Sequence, residues 1–143
     1  MDVRIKRTDS NAVIPSYATE GDAGLDLTAI SKKHIDVDHI KYGFGLALEI
    51  PEGFVGLIYP RSSCYKKNQL LSNCVGVIDS SYRGEISAVF IKGSQETFEI
   101  GDRIAQLIIM PYPKVNFIAV KEISKTLRGI KGYGSTGSRN GNK

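Results

Sequence analysis

Asp79 follows the apolar run Val75-Gly76-Val77-Ile78 and precedes Ser80-Ser81-Tyr82-Arg83-Gly84-Glu85. A carboxylate at the tip of an apolar β-hairpin can orient and deprotonate a water where its surroundings are partly shielded. The plainer reading is an Asp that opens a turn and bonds its own backbone. In Pro60-Arg61-Ser62-Ser63 a guanidinium stands beside two hydroxyls at a possible helix start, a combination suited to oxyanions. An N-cap serine beside a surface arginine explains the same residues without a ligand. Gly132-Tyr133-Gly134-Ser135-Thr136-Gly137 has the makings of a phosphate cradle: convergent amides, donating hydroxyls, and Arg128 nearby for charge. It lacks the Gly-Lys-Ser/Thr of a Walker loop, and a plain glycine-rich tail has the same composition. Gln106 interrupts the apolar run Ile104–Met110, so it is either exposed at an edge or has a polar partner. His34, Asp36 and Asp38 could be metal ligands, but a charged outer strand face, with Ile35 and Val37 turned inward, accounts for them better.

The elements that must position these groups are short, alternating and rich in β-branched residues, with breaks at Pro51-Glu52-Gly53, Asp79-Ser80-Ser81, Lys92-Gly93-Ser94 and Gly101-Asp102. The pattern predicts strands over Val3–Arg7, Leu25–Ile30, Phe44–Ile50, Phe54–Tyr59, Cys74–Ile78, Glu85–Ile91, Arg103–Met110 and Val115–Lys121. Ile86, Ala88 and Phe90 share one face of the sixth. Ser62–Leu70 has room for at most two helical turns. The fold class expected is all-β, a jelly-roll-like sandwich or barrel over residues 1–128. From Gly129 the pattern dissolves into a glycine-rich arm over 129–143. It buries too little to offset its own ordering entropy and is mobile unless something holds it.

A chain of 143 residues with 41% hydrophobic and 24% charged residues is an ordinary globular domain and not a disordered one. No apolar run reaches the roughly 20 residues of a membrane span, and the amino terminus has no signal-peptide apolar core. Cys64 and Cys74 make no disulfide framework; two small buried hydrophobes in a reduced, cytoplasmic chain is the simplest reading. The net charge is +4, yet the residues after Glu122 carry five cations and no acid, so the body before them carries −1. The basic excess belongs to the arm, which calls for a polyanion or an acidic partner.

Five segments occur in order: Ala23-Gly24-Leu25-Asp26-Leu27, Pro60-Arg61-Ser62-Ser63, Gly76 to Glu85, Gly101-Asp102-Arg103-Ile104-Ala105-Gln106-Leu107, and Arg128-Gly129 through Gly132-Tyr133-Gly134-Ser135-Thr136-Gly137. Together they resemble the five motifs of the trimeric deoxyuridine triphosphate nucleotidohydrolases, the dUTPases, over residues 20 to 137. The resemblance implies a jelly-roll homotrimer that converts dUTP to dUMP and pyrophosphate with Mg²⁺. Each active site would draw on several subunits, with the arm closing over a neighbour's nucleotide. It implies no membrane and no stable nucleic-acid partner.

Carried over by motif, Asp79 would activate the water that attacks the α-phosphorus, and Tyr82 would sit under the deoxyribose. Asn73, Gly76, Val77 and Ile78 would read the uracil edge. Arg61, Ser62 and Ser63 would hold the phosphate chain, Gln106 would contact phosphate or the water, and Asp26 would reach Mg²⁺ through waters. Arg128, Gly134, Ser135 and Thr136 would clamp the outer phosphates, with Tyr133 stacked on uracil. The sequence departs from the family pattern at Ser63, where glycine is common, and over Cys64–Gln69. Competing readings are a dCTP deaminase, which shares the fold but needs a glutamate base, and a non-catalytic β-module that binds nucleic acid or a partner through its tail.

Overall fold

A computed structural model describes residues 1–93 and 96–132. Among them, nine strands form two antiparallel sheets of a jelly roll. One sheet contains β1 (Arg4–Arg7), β3 (Ser31–His34), β4 (His39–Glu49), β6 (Leu70–Leu71) and β8 (Glu85–Ile91), in the order β1-β4-β8-β6 with β3 also on β4. The other runs β2-β9-β5-β7, from β2 (Leu25–Thr28), β5 (Phe54–Pro60), β7 (Gly76–Ile78) and β9 (Arg103–Pro111). A 3-10 helix, Ser62–Lys67, joins β5 to β6.

The core fills the space between the sheets. Ile86, Ala88 and Phe90 point inward from β8, as their alternation predicts, against Ile40, Tyr42, Phe44 and Leu46 of β4 and Leu27, Ile58, Ile104 and Leu107 of the opposite sheet. Tyr42, Phe90 and Phe98 meet edge to face, with ring centroids 5.5–6.1 Å apart. Strand β4 is longer than expected because it bends. Gly45 takes φ +63 and the register against β8 shifts between Gly43 and Ala47, so β3 pairs with the first half and β1 with the second.

Four expectations are corrected. Residues 115–121 form no strand: β9 ends at Pro111-Tyr112-Pro113, and beyond it Val115, Phe117, Ile118, Val120 and Ile123 lie exposed, Phe117 at 92%. A strand needs a ladder partner, and no described residue supplies one. Ile35 and Val37 are exposed because 35–38 is a turn, in which Asp36 accepts the amides of Asp38 and His39 and the His39 ring. The His39 ring bond leads the causes that hold the Asp36 carboxyl below its usual range. Cys64 is buried, its thiol donating to the Ile104 carbonyl at 3.3 Å and pushed up in pKa by burial, but Cys74 is exposed in the 72–75 turn. Finally, β7 makes no hairpin with its sequence neighbours: it pairs with β5, while β6 and β8 belong to the opposite sheet. Among the described residues, no helix is long and apolar enough to cross a membrane.

Candidate active site

The end of β5 and the strands beside it gather one set of the predicted residues. Asp26 and Gln106 are register partners on β2 and β9, and Gln106 also faces Tyr59 on β5. Gln106 is half-buried in a central strand and has a polar partner, its Nε2 donating to the Pro60 carbonyl at 3.2 Å. Gly24 leaves room for Gln106: a Cβ there would lie 2.5 Å from Gln106 Oε1 and make that amide shift.

Asp26, its side chain 15% exposed, accepts Arg61 Nε at 2.8 Å on one oxygen and Arg103 Nη1 at 2.8 Å on the other. Arg61 Nη1 also donates to the Arg103 carbonyl at 3.4 Å. One carboxylate therefore locks two guanidiniums that retain a net positive charge and further N–H donors, the arrangement an oxyanion recognises. Asp26→Asn is expected to lower the unfolding free energy by about 1–3 kcal/mol, since a mostly buried doubly paired charge is lost. Urea denaturation measures it, and an unchanged midpoint would mean the clamp contributes nothing to stability.

Next to the clamp, a cleft of about 360 Å³ is lined by Arg61, Ser63, Lys66, Lys67, Asp102 and Arg103. The serines do not cap the helix. Its N-cap is Arg61, extended at φ −77 and ψ 152 and without a side-chain cap bond, so the first amides are not satisfied by a capping side chain. Sequence reading gave no role to Arg103, Lys66 or Lys67. The signal was a second arginine just after the Gly101-Asp102 turn and two lysines on the helix behind Arg61.

The second set lies elsewhere. Gly76 is buried against Ile58, and a Cβ there would come within 3.3 Å of Asn73 Nδ2, so glycine brings Asn73 beside β7. Strand β7 is an edge, leaving one row of its backbone donors and acceptors near Val77 and Ile78 without a strand partner. Asp79 follows, exposed; its backbone carbonyl accepts the Tyr82 amide at 3.0 Å. The turn thus uses the main chain of Asp79, and no described residue donates to its carboxylate. Tyr82 donates its hydroxyl to the Glu85 carbonyl at 3.1 Å, and its ring occupies the space a Cβ on Gly84 would need. A cleft of about 210 Å³ opens beside Asp79, between Phe54, Val55, Val77, Ser80 and Tyr112.

The two sets are held apart by β5. Ile78 pairs with Gly56, so Asp79 falls level with Val55, whereas Arg61 follows Pro60 at the far end. Six residues of strand separate them, about 20 Å at roughly 3.3 Å per residue. Arg128 is exposed, its Nε donating to the Lys131 carbonyl at 3.1 Å; Tyr133, Gly134, Ser135 and Thr136 lie outside the described residues.

No three His, Cys, Asp or Glu side chains gather among the described residues. Asp26, with both oxygens on guanidiniums, suits an outer role toward a hard cation that keeps its waters and is bound mainly by phosphate.

The dUTPase family profile matches residues 10–137. A deoxyuridine 5'-triphosphate nucleotidohydrolase of Helicobacter hepaticus is 43% identical over 141 residues, 96% of this chain and 89% of the relative. The fold superposes on a dUTPase of Staphylococcus bacteriophage 80alpha, solved with dUPNHPP, at a TM-score of 0.81 with 27% identity, covering 95% of this chain and 98% of that one. A dUTPase mutant from phage phi11 of S. aureus, described with a coordinated structural Mg(II) ion, shares the fold at a TM-score of 0.74 and 22% identity, with 87% and 100% covered.

Proposed function

The chain belongs to the dUTPase family and hydrolyses dUTP to dUMP and pyrophosphate; we propose that it does so as a homotrimer whose sites are each assembled from more than one subunit. The observation that carries this reading is the length of β5 between Asp79 and Arg61. A base and the groups that grip the phosphates must act within a few ångströms of one phosphorus atom, because in-line attack needs reacting atoms about 3–3.5 Å apart. A second chain that sets its Asp79 beside the first chain's Arg61 cleft meets that requirement. The exposed apolar run from Val115 to Ile123 supports the assembly, since it offers surface for a neighbour to cover.

Within the shared site, Asp79 takes the proton of the attacking water. Arg61, Ser62 and Ser63 hold the phosphate chain, with Arg103 beside them and Gln106 toward phosphate or water. Mg²⁺ bound mainly by the triphosphate would supply charge neutralisation, and Asp26 would hold its water shell. Arg128 and the arm through Tyr133, Gly134, Ser135 and Thr136 close over the nucleotide.

Base choice follows from β7. The open edge at Gly76, Val77 and Ile78, with Asn73, pairs with the donors and acceptors of uracil, and cytosine leaves them unmatched. Pyrophosphate release is expected to favour dUTP over dCTP by about 10⁴-fold, as for sites that bury polar groups against one edge. Tyr82→Ala is expected to relax the rejection of UTP, by removing the ring against which a 2′-hydroxyl clashes. The assay runs across dUTP, dCTP, dTTP and UTP, and a variant as strict toward UTP as its parent would remove Tyr82 from sugar selection.

A further inference from the structure

Three contacts fasten the trailing end of the 3-10 helix to the loop between β8 and β9. Lys67 Nζ donates to the Thr97 carbonyl at 3.2 Å and lies 5.8 Å from the Phe98 ring centroid. Gly93 sits so close to Asn68 that a Cβ would collide with the Asn68 carbonyl oxygen. Gln69, only 1% exposed, accepts the Phe98 amide on Oε1 at 3.0 Å, and the Tyr42 hydroxyl lies 3.4 Å from both that oxygen and the Phe98 carbonyl.

Gln69 is the one buried polar side chain in the core among the described residues, and its Nε2 finds no partner there. An unmet buried donor is costly, so Gln69 is a poor choice as mere filling, for which an aliphatic side chain would serve. What distinguishes it is that its bond to the Phe98 amide ties two chain segments together. Upstream in the same segment stand Arg61, Ser62 and Ser63. Downstream of Phe98, the Glu99–Asp102 turn, closed by Glu99 N to Asp102 Oδ2 at 2.9 Å, delivers Asp102 and Arg103. These are the two rims of the 360 Å³ basic cleft, with Phe98 in its wall.

We propose that Gln69 is a positioning residue for the triphosphate: through the Phe98 amide and the Tyr42 hydroxyl it fixes the spacing between the Arg61–Ser63 rim and the Asp102–Arg103 rim. The inference rests on reading that cleft as the phosphate site. Gln69 does not line the cleft itself, so its loss acts on grip before it acts on chemistry.

Gln69→Met keeps the length and removes the acceptor. The KM for dUTP is expected to rise about tenfold, the scale of one lost hydrogen bond expressed as a binding ratio, with kcat within about twofold. Inhibition by dUMP, which lacks the outer phosphates, should stay unchanged, and Gln69→Glu, which restores an acceptor, should recover much of the lost KM. Hydrogen exchange at the Phe98 amide should quicken in Gln69→Met irrespective of activity. Tyr42→Phe, buried and nearly isosteric, provides a variant that folds if the other does not; a KM increase of about threefold is expected from the weaker bond it removes. An unchanged KM in the folded variants, a fall in kcat alone, or equal losses for dUTP and dUMP would overturn the proposal. Failure of the wild-type protein to release pyrophosphate from dUTP would instead strike the phosphate reading, while exchange at Phe98 would still report on the latch.

Discussion

Asp79→Asn is expected to lower dUTP turnover by about 10²–10⁴ while nucleotide binding survives, the range for removing a general base. The substitution keeps the side chain's size and its place at the end of β7, and it leaves the turn intact, because that turn is closed by the Asp79 carbonyl and the Tyr82 amide. Only the capacity to take a proton from water is lost. The phosphate grip belongs to Arg61 and Arg103, whose pairing with Asp26 the substitution does not touch, so affinity for an α,β-imido analogue of dUTP should stay close to that of the parent. Quenched-flow pyrophosphate release and titration calorimetry separate the two effects. Near-normal turnover would take Asp79 out of the reaction.

Two crippled proteins mixed together should work where neither does alone. A chain ending at Leu127 lacks Arg128 and the arm, and the Asp79→Asn chain lacks the base; each should retain about 1% activity or less, given how strongly rate depends on positioning. If base and arm in one site come from different chains, random reassembly of equal amounts restores both to about a quarter of the sites. Light scattering should give three chains per particle for the parent and for the mixture. A mixture as dead as its components would mean that each chain serves its own site.

Where local pattern and final packing agree, the sequence was enough. Ile86, Ala88 and Phe90 alternate against a core built by the same chain, and β8 runs over Glu85–Ile91 as expected. Four of the five motifs hold the groups that meet at the Arg61 clamp and at the Asp79 turn, and the fifth lies mostly outside the described residues. Residues 115–121 misled because alternation reports a preference for a sheet without saying whose sheet, and no described residue of this chain offers them one. Ile35 and Val37 misled because Asp36 captures the local amides and turns the backbone before it can extend. Arg103 and Gln69 stayed silent for a different reason. Their roles lie in partners distant in sequence, Asp26 and Phe98, that only the folded sheets bring within reach.

Because β5 holds Asp79 and Arg61 farther apart than one nucleotide's reacting centre can span, the proposed site for dUTP would exist only at the seam between chains. A ligand that binds the assembled form and ignores the separate chain pulls the association equilibrium with it by mass action. In the proposed assembly the nucleotide would thus cement the particle that destroys it. Cohesion would rise as dUTP accumulates, and it would relax as the product, with fewer phosphates to grip, takes its place.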